Sequence, residues 1–564
     1  MGLILNRKTE LYENQKFQIM KKLIAIIMCL SFGLTFAQNP EKNLSGEIST
    51  DYIRPGLLIL HNKQGGEFDF SNFKFPAQFD EIGIKNQEFS YSFEFDGLTS
   101  MDVLNKILAG EKVSKEERKK AKENDSLYNV MLSKEYSKVI SKFTGEMMTS
   151  IMEIENGKPN WEKLFERSRN SLTESQRNQL KNLSGGSLGD NAQNLLLDPI
   201  LERNYIMVIS PYGKTETEDG LTSAVAVSVF KVELAEGNDI QAKKNVFFSK
   251  FGNNYGLVKD SEFPVTFLGS GVGSAQSFDK KSLLSLVGLG NSKKNIRTPE
   301  EKEFDLNNAI IDQGIQIGMK FSDDWKPRAI VQDRMKVALG TKEGLKIDDL
   351  YISYERVKNE KGEVELVKKG YDRVKKVGDN DIDLTESEES GELSKLYGDA
   401  GKRTKTGYVS MRQPELGLGI SAFYRNQPGV RLDYRTKVVP NSMFYIEAEF
   451  LGANEYISGS VDYLASIGLQ KYLNIGRKIS LVPFAQYGMI LNSNDSESSD
   501  SSTEGNVVGM VGSRVALKFG KIQIIPEISI LVGELETPTS ILKSYSQRFE
   551  DSKSYVGFSL KYSL

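Results

Sequence analysis

The sequence lacks most of the residues on which metal and nucleophile chemistry depends. It contains one cysteine, Cys29, and one histidine, His61, in 564 residues. Zinc clusters need several such residues, and Ser-His or Cys-His catalysis needs a histidine. A single histidine behind the apolar run "GLLIL" is more often structural than catalytic. We therefore predict no enzyme, no catalytic residue, no metal and no cofactor, while a glycosidase-like carboxylate pair stays open because it leaves no sequence signature.

An excess of positive charge is absent as well. The chain has 73 Lys and Arg against 76 Asp and Glu, for a formal net charge of −3. Nucleic-acid binding depends on basic surfaces that neutralise phosphates. The balance of charge therefore predicts no nucleic-acid partner.

Long apolar runs are missing except for one near the start, "MKKLIAIIMCLSFGLTFAQ", which begins at Met20. Two lysines, an apolar core and the small residues Thr35 and Ala37 form the pattern of a secretory signal. We predict a signal segment over residues 1–37, cleaved between Ala37 and Gln38, with Met20 as an alternative start. Cys29 would leave with it, and no later run approaches the length of a membrane helix.

The part from 38 to 330 shows both helical and strand signals and is predicted as an exported α+β module. Apolar residues have helical spacing between about 100 and 183, where Ser114 with Glu117 and Thr173 with Gln176 are candidate capping boxes. Strands are predicted at "NYIMVIS" and "AVAVSVFKVEL". The segment "LGSGVGSAQS" fails the spacing of phosphate-binding motifs and is predicted to be a flexible loop.

The middle of the chain is predicted as a small β module followed by a linker. Residues 336–377 alternate short strands and turns and resemble small SH3-like β-barrels. Residues 378–407 are polar, first acidic and then basic, which is typical of an interdomain linker.

The segment "GVRLDYRTKV" introduces a different pattern, because uncharged residues alternate with Arg431, Asp433, Arg435 and Lys437. Successive strand side chains point to opposite faces, so one face is uncharged and the other charged. Eight segments between 408 and 564 alternate in this way, and their polar faces mix charges with glycines, as a narrow closed interior requires. The connections after the second, fourth and sixth segments are short, whereas those after the fifth and seventh are long.

This C-terminal third resembles the eight-stranded outer-membrane β-barrels of Gram-negative bacteria. The resemblance implies an antiparallel transmembrane β-barrel in the cell outer membrane, with membrane lipid and the barrel assembly machinery as partners. The last strand resembles the assembly signal of such barrels, with Phe558, Leu560, Tyr562 and Leu564 on one face, although Leu564 stands where Phe is usual. The preceding part resembles uncharacterised exported proteins, which implies no activity.

Charged residues on the polar faces are predicted to form ion pairs in the barrel lumen. A short turn around Pro440 would place Glu449 opposite Arg431, and Glu447 near Arg431 and Arg435. The predicted lumen residues are Arg431, Asp433, Arg435, Lys437, Glu447, Glu449, Arg514, Lys518 and Glu527.

The fold class predicted overall is mixed, with α+β periplasmic modules followed by the barrel. The predicted function is anchoring of a large periplasmic module, with a structural or binding role and a periplasmic or cell-wall partner as one option. The alternative is a soluble periplasmic ligand-binding protein. Its C-terminal strands would form a lipocalin-like barrel with the apolar face inside.

Overall fold

The structure is a computed structural model that describes residues 44–45 and most of the chain from 52 to 563. Some shorter stretches are also outside the description. The longer ranges outside it are 1–43, 165–200, 279–297, 381–391, 454–460, 493–506 and 536–553.

Three α-helices and twenty-four strands occur in the described part of the chain. The helices are α1 (Lys115–Ile151), α2 (Ile240–Phe251) and α3 (Pro299–Phe321). None of these described helices is long and apolar enough to span a bilayer. The strands are β1 (Leu44–Ser45), β2 (Gly56–Asn62), β3 (Asp80–Glu81), β4 (Gln87–Phe89), β5 (Ile154–Glu155), β6 (Lys158–Pro159), β7 (Asn204–Thr217), β8 (Gly220–Val232), β9 (Val265–Phe278), β10 (Arg328–Ile330), β11 (Lys336–Val337), β12 (Leu350–Lys358), β13 (Val364–Lys376), β14 (Ser394–Gly401), β15 (Val409–Arg412), β16 (Leu418–Tyr424), β17 (Pro428–Arg435), β18 (Ser442–Ala453), β19 (Val461–Lys471), β20 (Leu473–Asn474), β21 (Ile479–Asn492), β22 (Val507–Phe519), β23 (Ile522–Leu535) and β24 (Ser554–Ser563).

The chain folds into two compact units. The α/β unit contains residues 49–329 and 341–344, and the barrel unit contains the chain before it together with residues 330–340 and 345–564. The α/β unit is thus inserted into the chain of the barrel unit. This corrects the predicted module boundary at 38, because β1 pairs with β13 of the barrel unit.

The α/β unit is built on a mixed sheet with the strand order β3-β2-β7-β8-β9, in which β4 also pairs with β2. β2 runs parallel to β7, whereas β7, β8 and β9 form antiparallel pairs. Alternate strand residues feed two apolar clusters. One cluster joins the sheet to α1 and α2, and the other joins it to α3.

Helix α1 begins where the sequence predicts a helix start. Ser114 accepts a hydrogen bond from the Glu117 backbone N–H, and the Glu117 side chain accepts one from the Ser114 backbone. This reciprocal pair confirms the first predicted capping box. The second, at Thr173 and Gln176, lies outside the described residues.

The predicted loop "LGSGVGSAQS" is wrong, because these residues form most of strand β9, which pairs with β8 along its whole length. A Cβ built on Gly271 would lie 2.9 Å from Ile317 Cγ2 of α3, and similar contacts to α3 occur at Gly269 and Gly273. The glycines therefore allow α3 to pack directly on the strand. Their spacing of two residues, on one strand face, was the sequence signal.

The barrel unit contains a seven-stranded sheet that replaces the predicted SH3-like module. Its order is β10-β15-β12-β13-β14-β11, with β1 also paired to β13. The predicted linker over 378–407 is wrong for residues 394–401, because β14 pairs with β13 and β11. The predicted barrel start at 408 is also too early, since β15 pairs with β12 in this sheet. Pairing between distant segments completes the sheet.

Eight antiparallel strands, β16–β19 and β21–β24, form a closed barrel, as predicted. Neighbouring strands pair in chain order, and β24 closes the barrel on β16. The connections at 436–441, 472–478 and 520–521 define the short-turn end of the barrel. The connections at 454–460, 493–506 and 536–553 define the long-loop end.

Candidate functional site

The outer face of the barrel is apolar and exposed. Its exposed side chains include Leu432 at 42%, Leu560 at 54%, Ile528 at 58%, Phe558 at 59% and Val556 at 73%. Water-soluble monomers rarely expose a continuous apolar surface of this kind. The strands therefore present to their surroundings the residues that a soluble protein buries.

This apolar surface has the height of a bilayer core and has aromatic residues near its ends. Outward residues of β23 extend from Ile522 to Val532, which is about 33 Å along a strand and about 25 Å at a tilt of roughly 40°. Cross-strand pairing places Tyr434 beside Phe444 towards the short-turn end and Tyr424 beside Phe558 towards the long-loop end. Aromatic girdles of this kind flank the apolar band of membrane barrels.

The interior carries an ion network, called here the core network, of three arginines and three glutamates. Each of the six residues is at most 3% exposed. Its members are Arg425, Arg431, Arg514, Glu447, Glu449 and Glu527.

Every arginine of the core network contacts at least two of its glutamates. Arg425 contacts Glu447 at 2.9 Å, Glu449 at 3.0 Å and Glu527 at 2.7 Å. Arg431 contacts Glu447 at 2.9 Å and Glu527 at 3.1 Å. Because guanidinium and carboxylate groups are equal in number and close together, the network has no net charge. A buried ion set is tolerated when its members are paired in this way.

Arg514 links the core network to the aromatic and amide side chains around it. Its Nε lies 2.6 Å from Glu527, and its guanidinium carbon lies 3.6 Å from the centroid of the Phe484 ring. Gln486 donates to Glu447 at 2.9 Å and accepts from the Tyr445 hydroxyl at 3.0 Å. These side chains occupy the lumen between the charges, so the described interior is filled by side chains, as expected for eight strands.

A second buried ion pair lies nearer the short-turn end. Lys561 of the last strand contacts Asp433 at 3.2 Å, and both side chains are 2% exposed. Gln470 donates to Asp433 and accepts a 2.7 Å hydrogen bond from Arg514. The amide of Gln470 thus connects this pair to the core network.

A third charged group, called here the mouth cluster, joins the seven-stranded sheet to the short-turn end. Arg373 of β13 makes two 2.6 Å bonds to Glu415 and one of 2.6 Å to Asp399. Lys518 of the barrel reaches Asp399 at 2.8 Å, and Arg435 reaches Asp348 at 3.4 Å. The barrel contributes Lys518 and Arg435. Asp399 lies on β14 of the sheet, Asp348 precedes β12, and Glu415 lies between β15 and β16.

The electrostatics of the mouth cluster favour charged carboxylates. Burial alone would raise the pKa of Asp399, but Lys518, Arg373 and Arg435 outweigh it and hold that pKa well below its ordinary value. Burial likewise opposes ionisation of Glu415, yet Arg373 lowers the pKa of that carboxyl. The carboxyl groups of Asp399 and Glu415 are therefore ionised at neutral pH.

Hydrogen bonds from turns of the barrel complete this junction. The Asn441 backbone N–H donates to Asp348 at 2.8 Å, and the Tyr397 hydroxyl lies 2.7 Å from the Asn441 side-chain oxygen. Arg477, in another turn, reaches Asp372 at 2.5 Å. Two turns of the short-turn end are thus bonded to the seven-stranded sheet.

The structure distributes the predicted lumen residues between these groups. Six lie inside the barrel, namely Arg431, Asp433, Glu447, Glu449, Arg514 and Glu527. Arg435 and Lys518 instead bond to carboxylates of the seven-stranded sheet. Lys437 lies outside the strands, in the 436–441 turn with a φ of 53°, and its Nζ is 3.5 Å from Asp349.

The predicted pairing register of the second hairpin is wrong by two residues. Arg431 lies directly opposite Glu447, whereas Glu449 lies opposite Gly429. The reason is the turn, which uses residues 436–441 instead of a tight connection at Pro440. Glu449 is consequently bonded by Arg425.

Sequence reasoning missed Arg425, which contacts all three glutamates of the core network. The sequence signal was present, because the inward positions 417, 419, 421 and 423 continue by alternation to 425. Arg425 directly follows the last residue of β16 and precedes the turn-like sequence "NQPG", so the strand pattern was not extended to it. Alternation with Leu560 and Tyr562 also directs Lys561 to the inner face, but its bond to Asp433 was not foreseen.

The predicted assembly-signal residues Phe558, Leu560 and Tyr562 lie on β24 with the first two 59% and 54% exposed on the outer face. Leu564 and the predicted cleavage residues Ala37 and Gln38 lie outside the described residues. The lipocalin-like alternative is wrong in its central requirement, because the apolar face of the barrel points outward and the charged face inward.

The chain has only low similarity to known proteins. No protein-family model and no curated protein matches the chain. Solved structures similar to it include the N-terminal β-barrel domain of Pseudomonas aeruginosa OprF, at 12% identity, 27% coverage of this chain, 98% coverage of that chain and a TM-score of 0.18. OmpT, an outer-membrane protein of Vibrio cholerae, has 9% identity, 64% and 95% coverage, and a TM-score of 0.13. The predicted resemblance to eight-stranded outer-membrane β-barrels is confirmed at the level of the fold. The evidence is the strand pairing, which closes eight antiparallel strands into a barrel.

The described residues contain no group of three or more His, Cys, Asp or Glu arranged to hold a metal ion. His61 is 1% exposed, lies 4.5 Å from the Phe70 ring, and burial lowers its pKa to about 4. A neutral histidine in such a position behaves as part of the apolar core.

Proposed function

We propose that this chain is an integral outer-membrane protein whose barrel anchors the seven-stranded sheet and the α/β unit on the periplasmic side. The role is structural or binding in kind. One observation carries the proposal, namely that the barrel exposes apolar residues while it buries a neutral ion network. That arrangement suits hydrocarbon outside and a filled lumen inside.

The two ends of the barrel support this orientation. Outer-membrane barrels have short periplasmic turns and longer extracellular loops. The seven-stranded sheet is bonded to the short-turn end through Asp348, Asp399 and Asp372. The sheet, and the α/β unit inserted in its chain, therefore belong on the periplasmic side.

The filled interior supports anchoring over conduction. The core network places six charged side chains across the lumen, and Phe484 and Tyr445 lie against its arginines. Paired charge inside a barrel needs only a partner, without any transported ion. The barrel then serves as a membrane anchor for the seven-stranded sheet and the α/β unit.

Gel migration and carbonate washing test whether the barrel is integral. Protein from washed outer membranes should run faster unboiled than boiled and should remain in the pellet after carbonate treatment. Identical migration with and without boiling, together with recovery in the soluble periplasmic fraction, would contradict the proposal.

Single-cysteine variants test the orientation, since the one native cysteine, Cys29, lies in the predicted signal. Ser502→Cys places a thiol in the 493–506 loop, and Gly476→Cys places one in a short turn with open space around it. A membrane-impermeant maleimide should label the first in intact cells and the second only after permeabilisation. The reverse labelling would place the seven-stranded sheet outside the cell.

A further inference from the structure

Strand β9 forms one edge of the mixed sheet of the α/β unit. It has 14 residues and pairs with β8 on one side along its whole length. Among the residues that the structure describes, no strand pairs with its other side. The backbone N–H and C=O groups along such an edge can bond to a further strand, so another chain can add to the sheet here.

The side chains of β9 leave this edge open to pairing. Its sequence, "VTFLGSGVGSAQSF", contains no charged residue and no proline, although native proteins commonly protect a long edge with such residues. The β-bulge at Leu268 lies outside the central segment from 270 to 274. In that segment Val272 is 39% exposed, and Ser274 is exposed as well. The middle of the edge is therefore accessible and uncharged.

The central segment of β9 is also palindromic. It reads "SGVGS" from Ser270 to Ser274 in either direction. Two copies of a surface that meet about a two-fold axis place residue i opposite j and j opposite i, so the surface has to complement itself. With the axis at Val272, antiparallel pairing places serine opposite serine, glycine opposite glycine and the two valines opposite each other. This symmetry favours a second copy of the chain over a strand of unrelated sequence.

The exposed face of the central segment suits such pairing. Opposed hydroxyl residues and opposed β-branched residues both stabilise antiparallel strands. The Ser270 hydroxyl donates to the Asn129 side-chain oxygen of α1. Its own oxygen can still accept a hydrogen bond from Ser274 of the second copy. The two Val272 side chains would cover each other at the axis.

Helix α3, on the glycine face, leaves room for a second copy. It contacts β9 through Ile317, and it also contacts β8, because a Cβ built on Gly314 would lie 3.6 Å from Val227 Cγ2. A helix that lies over this strand pair faces its two-fold copy across two strand spacings, about 10 Å. That is an ordinary distance between packed helices.

We propose that β9 pairs antiparallel with β9 of a second copy of this chain, about a two-fold axis at Val272. The two mixed sheets then form one continuous sheet, and the α/β unit is the dimerisation unit of the protein. The pairing does not depend on the proposed membrane role, because β9 belongs to the α/β unit.

Cysteine cross-linking of the full-length protein in outer membranes tests the pairing. The one native cysteine, Cys29, lies in the predicted signal. Val272→Cys treated with a short bifunctional maleimide should migrate at twice the monomer mass after boiling. The matched control is Val246→Cys on α2, which replaces a valine that is 54% exposed and should stay monomeric. Equal dimer yields in both variants, or labelling of Val272→Cys by a monofunctional maleimide without any dimer, overturn the pairing.

Mixing two variants tests the register. Ser270→Cys and Ser274→Cys are co-expressed, one of them with a size tag. They should cross-link to each other, because the axis at Val272 places these positions opposite one another. Two Ser270→Cys copies should not cross-link, since their thiols would be offset by four residues, about 13 Å along the strands. Equal cross-linking in every combination overturns the symmetric pairing.

A charge at the axis should break the dimer. In detergent, with mass measured by light scattering, Val272→Lys should raise the dissociation constant at least about 100-fold, because the two ammonium groups would face each other. Val246→Lys should dimerise as the unaltered protein does. A monomeric unaltered protein, or unchanged dimerisation of Val272→Lys, overturns the proposal. If altered tryptophan fluorescence shows that Val272→Lys does not fold, the cross-linking of Val272→Cys decides.

Discussion

The interiors of the barrel and of the α/β unit are both buried but differ in chemistry. The α/β unit buries apolar side chains such as Ile310, Met207 and Trp325, each 0% exposed. The barrel buries Arg425 and Glu449, also 0% exposed, between two small apolar clusters, and it exposes large apolar residues on its outer face. The same alternation of strand residues therefore produces either interior, and the surrounding solvent decides which one is stable. Surrounding water stabilises the apolar interior of the α/β unit, and surrounding hydrocarbon stabilises the ion-paired interior of the barrel.

Breaking the core network should give the largest loss of stability, and the loss should fall on the barrel. Glu527→Leu removes the carboxylate that contacts Arg425, Arg431 and Arg514, leaving buried positive charge. We expect barrel stability to fall by about 3–5 kcal/mol, measured as the urea concentration at which unboiled protein loses its fast-migrating form. Arg431→Leu should destabilise the barrel for the same reason, through the loss of its pairs with Glu447 and Glu527.

A double substitution tests whether two members of the core network act as an ion pair. Arg431→Met/Glu527→Met removes both partners of one contact, so its effect should be smaller than the sum of the two single changes. The outward variant Ile528→Leu on the same strand is the control and should change little. Strict additivity of the two single effects would mean that these residues do not act as an ion pair.

Removing a buried apolar side chain from the α/β unit should destabilise that unit and leave the barrel unchanged. Ile310→Ala leaves a cavity between α3 and the sheet, for which we expect a loss of about 3 kcal/mol. The two tryptophans, Trp161 and Trp325, both precede the barrel, so their fluorescence reports on the α/β unit alone. The unfolding midpoint by fluorescence should fall while heat-modifiable migration stays unchanged.

The exposed change Val246→Ala on α2 is the control for Ile310→Ala, because Val246 is 54% exposed. It should leave the fluorescence midpoint unchanged. A parallel fall in the migration assay for Ile310→Ala would show that the two interiors depend on each other.

Acid should weaken the ion pairs of the mouth cluster, with a smaller loss of stability than the two changes above. The pKa of Asp399 lies well below its ordinary value of 3.8 in the folded protein, so its stabilisation is complete above about pH 4. It is lost as the pH falls below that value through the folded pKa. Asp399→Asn should cost about 2 kcal/mol at pH 7, and this difference from the unaltered protein should shrink in acid.

Thermal unfolding in detergent, followed by circular dichroism at pH 7 and at pH 3, measures this effect. The surface variant Asp333→Asn is the control, because the Asp333 side chain is 90% exposed and its neighbour Arg334 is 82% exposed. A stability difference for Asp399→Asn that does not change between the two pH values would contradict the assigned ion pairs.

Periodicity predicted the barrel because each strand has to satisfy two different surroundings at once. The alternation around Arg431 and Asp433 correctly assigned their side chains to the inner face, since a strand offers only two directions. Partners were harder to predict. The length of the 436–441 turn shifted the register by two residues, and turn length leaves only a weak trace in a sequence.

The seven-stranded sheet was missed for a related reason. Its pairs join residues that are distant along the chain, such as Leu44 with Leu366 and Tyr351 with Arg412. Very short strands such as β1 and β11 have no period to detect. Long-range pairing is decided by tertiary packing, so local propensity could identify β12 and β13 without revealing what lies beside them.

The registers of two barrel hairpins have a consequence for how the barrel enters a membrane. Arg431 lies opposite Glu447 within the β17–β18 hairpin, and Arg514 lies opposite Glu527 within the β22–β23 hairpin. Each hairpin can therefore neutralise its own central charges before its neighbours arrive. The bonds from Arg425 and Arg431 to Glu527 then form only at closure. Each of these two hairpins thus contains an ion pair of its own, and the bonds across the lumen stabilise the barrel only once the last strand has closed it.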